Sequence, residues 1–237
     1  MSILRTLRKK FILSTIASKR SIPAPYLEKY LELTVLKDIL DKLSVNCLLD
    51  VGANIGQFAQ DLRLFGYTGR IVSFEPLASA FGDLSRTMKA DKNWQGFNFA
   101  LGDFTGIQNI NVASDSKLSS LLPNNDSDDS NVQEEIQVKR LDDIWESLHI
   151  NPSDSNVFLK MDTQGFDHRV FKGAADNIDS VCGLMSEVSV LPLYENMIDY
   201  KESLSLYESA GFSLCNLGIV STDDSARVVE LNCIMRR

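Results

Sequence analysis

No apolar run in this 237-residue chain approaches the roughly 18 residues that a membrane-crossing helix needs. The N-terminus also lacks an uninterrupted apolar core ahead of a small-residue cleavage site, which argues against a cleaved signal peptide. Cysteine is scarce, and Cys47, Cys182, Cys215 and Cys233 are widely separated. Their spacing gives no metal-binding or redox pair, so they read as reduced, mostly buried thiols in a cytoplasmic protein. Nothing repeats internally. The six-residue G-x-G-x-x-G form of a dinucleotide fingerprint is missing, as is any Tyr-x-x-x-Lys pair, and both absences count against an NAD-dependent oxidoreductase.

Positive charge is concentrated at one end. Residues 1–20 hold Arg5, Arg8, Lys9, Lys10, Lys19 and Arg20 with no acid. The whole chain is at −8, so removing that +6 leaves −14 on the other 217 residues. An acidic body argues against a nucleic-acid partner, whose phosphates need a basic surface, and suits a neutral or cationic small molecule. Ile3, Leu4, Leu7, Phe11, Ile12 and Ile16 fall at helical spacing, so residues 1–20 read as a basic amphipathic helix. Such a helix packs on the domain or on a partner subunit, as in a dimer, or rests peripherally on an anionic membrane. A second helix is predicted over about 25–43, with Pro25 in its first turn. The expected division is a helical extension at 1–44 and a single α/β domain at 45–237.

From residue 46 strands and helices alternate. The pattern predicts strands at about 46–51, 70–75, 96–101, 157–161 and 181–187, and helices at 56–66, 77–90, 167–175 and 199–210. Two last strands are expected at 212–217 and 228–235. Residues 107–112 and 132–138 read as short strands around a polar acidic loop at 124–130, which lacks the glycine and the final glutamate of an EF-hand.

The most informative stretch is Leu48-Leu49-Asp50-Val51-Gly52-Ala53-Asn54-Ile55-Gly56, followed by Ile71-Val72-Ser73-Phe74-Glu75-Pro76. An apolar strand ends at a tight glycine turn and a helix follows. A second strand then ends in an acid 23 residues after Gly52, a reach suited to both hydroxyls of a ribose. Asp103, Asp162 and Glu187 stand at the ends of later predicted strands. With Asp50 and Glu75 they would place five acids on one rim of the sheet. Asp162 is the first candidate for a general base and Glu187 the second. His168, six residues after Asp162, is a third candidate for base or substrate contact. Paired acids of this kind could alternatively hold a divalent metal, which is not the favoured route, and no residue is assigned as a metal ligand. Lys160, two residues before Asp162, shares its strand face and is expected to pair with a neighbouring acid. Pro192-Leu193-Tyr194 is expected in the acceptor pocket, where Tyr194 could stack on a sugar ring.

The ordered segments D-V-G-A-N-I-G (50–56), F-E-P (74–76), A-L-G-D (100–103), V-K-R-L-D-D (138–143), K-M-D-T-Q-G (160–165) and S-E-V (186–188) resemble the FkbM-type S-adenosylmethionine-dependent methyltransferases over about 45–235. The resemblance implies a class I methyltransferase fold: an α/β Rossmann-like sheet of seven mostly parallel strands, order 3-2-1-4-5-7-6, with strand 7 antiparallel. It implies S-adenosylmethionine as cofactor and O-methylation of a hydroxyl on a sugar, glycan or natural product. Gly52, Ala53, Asn54 and Gly56 would line the methionine and ribose. Glu75 would hold the ribose diol and Asp103 would sit near the adenine. Asp50, Pro76 and Leu101, in the same motifs, are grouped with the cofactor side. Gln164, Tyr194 and Ser120, with Ser119 beside it, would face the substrate. One departure is Gln164, where many members carry Glu. A catalytically idle domain that docks partners through its N-terminal helices is the alternative from another class.

Overall fold

In the computed structural model, residues 23–112, 120–122, 132–151, 154–191, 193–194 and 197–237 are described. The amphipathic segment at 1–20, Ser119, the acidic loop at 124–130 and Pro192 lie outside them. Helix α1 (Ala24–Lys42) leads into β1 (Cys47–Val51), α2 (Gln57–Leu64), β2 (Arg70–Phe74), α3 (Ala78–Met88) and β3 (Trp94–Phe97). Next come β4 (Ala100–Leu101), β5 (Gly106–Asn111), β6 (Gln133–Lys139) and the short α4 (Leu141–Ile144). The chain closes with β7 (Val157–Met161), α5 (Asp167–Lys172), β8 (Val181–Ser189), α6 (Tyr200–Ser209), β9 (Ser213–Thr222) and β10 (Val228–Arg236).

Seven strands form the main sheet in the order β3-β2-β1-β7-β8-β10-β9. Counting only strands of that sheet, this is 3-2-1-4-5-7-6. The first five pair in parallel, while β10 runs antiparallel to both β8 and β9. This is the class I methyltransferase arrangement.

Parallel strands covered on both faces read as continuous apolar runs, and β1 and β7 are buried along their whole lengths. Period two then sends alternate side chains to opposite faces. Leu48, Ile71, Phe158, Met185 and Ile234 join Leu33, Leu36, Ile39 and Leu40 of α1 in one cluster. Cys47, Leu49, Val72, Leu159 and Leu184 join Val138, Leu141, Phe166 and Tyr207 in the other. Helix α1 therefore covers one face of the sheet beside β8 and β10.

The third predicted strand needs correction. The sequence pattern predicts one element at 96–101. The main-sheet strand ends at Phe97, and Ala100–Leu101 instead pairs in parallel with β6, in a separate three-stranded sheet β4-β6-β5. Asp103 follows β4 and so is not at the end of a main-sheet strand. An apolar run cannot reveal in which sheet it pairs, because both pairings bury it equally well.

Candidate active site

The site forms where β1, β2, β7 and β8 end. After β1, the Gly52 and Ala53 amides donate to the Phe74 carbonyl at 3.0 and 3.1 Å, tying the glycine turn to the end of β2. Gly52 has φ +75°, and a Cβ there would come within 1.9 Å of the Asp162 carbonyl oxygen. Only glycine lets the first turn and the loop after β7 approach so closely.

Glu75 folds back over this turn. Its Oε2 accepts the Asn54 amide at 2.8 Å and its Oε1 the Leu77 amide at 2.9 Å. Each oxygen keeps lone-pair capacity for one further donor. The side chain is buried, and burial pushes its pKa up to about 7 against the pull of those two amides. Asn54 sits at φ +47°, in the left-handed region that asparagine tolerates better than most residues.

Asp50 and Lys160 face each other in register on the adjacent strands β1 and β7. Lys160 Nζ lies 3.0 Å from Asp50 Oδ1 and 3.5 Å from Asp162 Oδ2, and it also donates to the Gly52 carbonyl at 3.2 Å. Burial alone would lower its pKa, but the charges of Asp50 and Asp162 overcome that, so the ammonium is held well above the ordinary lysine value. The two neighbouring acids differ in access. The Asp50 side chain is 0% exposed, whereas that of Asp162 is 44% exposed and lines the cavity. Asp50 anchors the lysine, and Asp162 is available to a ligand.

The loop after β7 is fastened by Asp167, which sequence reasoning passed over. It accepts the Thr163 amide at 2.8 Å, the Ser186 hydroxyl at 2.8 Å and the Glu187 amide at 3.1 Å. An acid in the first turn of a six-residue helix gave no sign of this, because its partners lie on the loop and on β8. Gln164, at φ +50°, donates from Nε2 to Glu187 Oε2 at 3.0 Å and to Asp162 Oδ1 at 3.4 Å. Its Oε1 accepts the Tyr194 hydroxyl at 3.0 Å, and its backbone carbonyl accepts the Ser120 hydroxyl at 2.7 Å. A glutamate at 164 would add a third carboxylate to this group; the carboxamide supplies donors to both acids instead. Glu187 has its pKa pushed well above the ordinary carboxylate value by burial and by the charges of Asp162 and Glu230.

These groups open into one cavity of about 1200 Å³, larger than the ~300–1,000 Å³ typical of a single-ligand cleft. Gly52, Ala53, Asn54, Glu75, Pro76 and Leu101 line one part of it, and Asp162, Gln164 and Glu187 lie beside them. Gln57 also lines it, and its buried Oε1 has no hydrogen-bond partner among the described residues. Asp50 and Gly56 stand behind this wall, and Tyr194 and Ser120 reach the cavity through Gln164. Asp103 and His168 are not among the lining residues. Asp103 lies 3.9 Å from Arg169, and His168 is buried, its pKa lowered by burial and by the charges of Lys172 and Arg169. Glu230 of β10 lines the cavity too. An acid in a largely apolar strand was its only mark in the sequence. Among the described residues no group of three or more His, Cys, Asp or Glu is arranged to hold a metal ion.

The family model of the FkbM methyltransferase domain matches residues 50–214, and the chain belongs to that family. No curated protein matches it closely enough to count. Among solved structures it resembles fibrillarin from Aeropyrum pernix with natively bound S-adenosyl-L-methionine, at 10% identity and a TM-score of 0.44, covering 80% of this chain and 66% of that one. It also resembles TehB from Haemophilus influenzae, at 13% identity and a TM-score of 0.46, covering 86% and 61%. A third similar structure is a SAM-dependent methyltransferase from Aquifex aeolicus, at 13% and 0.45, covering 91% and 100%. The chain thus spans less than two thirds of the length of the first two. Among the described residues no helix is long and apolar enough to cross a membrane.

Proposed function

We propose that this chain is an S-adenosylmethionine-dependent O-methyltransferase acting on a hydroxyl of a sugar, glycan or related natural product. The observation that carries the reading is the Glu75 carboxylate. It is held over the glycine turn by two backbone amides, with capacity left on each oxygen, in the same cavity as Asp162. That carboxylate suits a ribose diol. The unpartnered Gln57 Oε1 suits an ammonium donor, and Phe74, Leu77, Ala100 and Leu101 offer an apolar wall for a nucleobase. When bound, S-adenosylmethionine supplies a methyl group made electrophilic by its sulfonium.

The chain's own work is to orient an acceptor hydroxyl and take its proton. Asp162 accepts that proton in this reading, which is supported by its access to the cavity, the anchoring of its amide by the Val51 carbonyl at 3.1 Å and the flanking Lys160. Glu187 is the second choice, since a carboxylate whose pKa is raised is a stronger base once ionised. Lys160 acts as a positioning residue. The same reading sets the enzyme in the cytoplasm, supported by four free thiols.

Equilibrium dialysis with labelled S-adenosylmethionine tests the cofactor half, and absence of binding at millimolar concentration would sink the reading. Asp162→Asn is expected to retain that binding while transfer slows by about 10²–10⁴-fold. Transfer at the wild-type rate, in a screen over sugar nucleotides and cell-envelope glycans, would remove Asp162 as the base.

A further inference from the structure

The cavity continues past the cofactor wall into a second wall made by α1, β9 and β10. Two features of that wall have no explanation in the packing of the described residues. The first is apolar. Leu31, Leu217, Ile219 and Val220 all line the cavity, yet they are 59%, 39%, 63% and 42% exposed. Aliphatic side chains left uncovered on a concave surface mark where a ligand's apolar part sits.

The second feature is electrostatic. Glu187 and Asn232 are cross-strand partners on β8 and β10, as are Ser189 and Glu230, so all four share one face of the sheet. Nearby cations are engaged elsewhere: Lys29 with Glu32 at 3.1 Å and Lys160 with Asp50. Lys160 acts on Glu187 only from beyond ion-pair distance. Among the described residues no lysine or arginine pairs with Glu187 or Glu230. They receive only neutral donors, Gln164 Nε2 at 3.0 Å for Glu187 and the Ser221 hydroxyl at 2.8 Å for Glu230. Directly opposite Glu230, Ser189 is 1% exposed and its Oγ has no hydrogen-bond partner among the described residues. Two carboxylates facing a cavity with a buried, unused hydroxyl beside them are complementary to a cationic donor. A neutral ligand would leave their mutual repulsion in place.

We propose that the acceptor is an amphipathic amino alcohol: a protonated amine sits between Glu187 and Glu230, and an adjoining aliphatic part lies on Leu31, Leu217, Ile219 and Val220. This deepens the O-methyltransferase reading and rests on it. Helix α1 is then part of the substrate wall, joined to β10 through Asn232, which donates to Glu32 at 2.6 Å.

The test is calorimetric titration of the full chain, first with S-adenosylhomocysteine and then, with that compound saturating, with octylamine, 1-octanol and ethanolamine. Octylamine should bind at least about tenfold tighter than either of the others, since octanol lacks the charge and ethanolamine the chain. Glu230→Gln should erase most of the preference for octylamine over octanol. Ile219→Ser should reduce the preference over ethanolamine. Equal binding of octylamine and octanol overturns the cationic part, and equal binding of octylamine and ethanolamine overturns the apolar part. If none of the three binds while S-adenosylhomocysteine does, the inference fails and the methyltransferase reading stands. If S-adenosylhomocysteine itself does not bind, it is that underlying reading that fails.

Discussion

The two walls of the cavity are built differently. The wall proposed for the cofactor comes mostly from a short, nearly continuous piece of chain, residues 51–77, with Ala100 and Leu101 added from β4, and its turn residues carry backbone hydrogen bonds or a positive φ. The wall proposed for the acceptor is assembled from α1, the end of β8 and the β9–β10 pair. Its members come from places in the chain as far as 200 residues apart, as the contact between Glu32 and Asn232 illustrates. The geometry of the first wall is set mostly by contacts close in sequence. The second exists only when the sheet and α1 are both in place. A methyltransferase fold can thus keep one wall constant while the other varies with substrate.

Substitutions that separate the walls put this contrast at risk. The largest effect is expected for Lys160→Met, which leaves the fully buried Asp50 carboxylate without its cation. Removing one partner of a buried pair costs about 3–5 kcal/mol, and urea unfolding would read it. A loss under about 1 kcal/mol would mean that the buried Asp50 carboxylate does not depend on the lysine for its charge balance. Next, Glu75→Ala should weaken labelled cofactor binding by about tenfold to a hundredfold, the range for losing a charge-assisted hydrogen bond, with little change in octylamine binding. If both ligands weaken together, the walls are not separable.

Asn232→Ala should act in the opposite sense. It cuts the tie to Glu32, costs about 1 kcal/mol of stability and leaves cofactor affinity unchanged by dialysis. The smallest effect expected is in pH dependence. Glu75 has a folded-state pKa raised from 4.5 to about 7, so the folded ligand-free protein holds that proton in a range where the unfolded chain has released it. The stabilisation is complete below the unfolded value and is lost as pH rises through about 7. His168, whose pKa is lowered, acts with the opposite sign below its ordinary value, so the informative quantity is a difference. The melting temperature of the wild type minus that of Glu75→Gln should fall between pH 5 and pH 8. A flat difference would show that Glu75 titrates as an exposed carboxylate does.

Much of the first wall was legible in the sequence. The glycine turn and the acid 23 residues later are local signals, and their spacing follows from one strand–helix–strand crossover. The strand at 96–101 was not legible as two elements, because burial does not say which sheet accepts a strand. Asp103 was drawn onto the rim by that same misreading. Asp50 and Lys160 were each visible as charges inside apolar runs, but their pairing depends on β1 and β7 becoming neighbours in register. Asp167 and Glu230 gave almost no signal: one works through a loop and a strand 19 or more residues away, and the other faces the cavity only because the β10 register turns it there.

By itself the sequence determined the fold class and the glycine turn with its following acid, since hydrophobic periodicity and turn chemistry act over a few residues. The tertiary structure alone decided which acids share a cavity, which are neutralised by lysine, and that α1 stands beside the β9–β10 pair. Those outcomes depend on strand order, register and burial, and electrostatic energies between side chains are set by distances that exist only after the chain has folded.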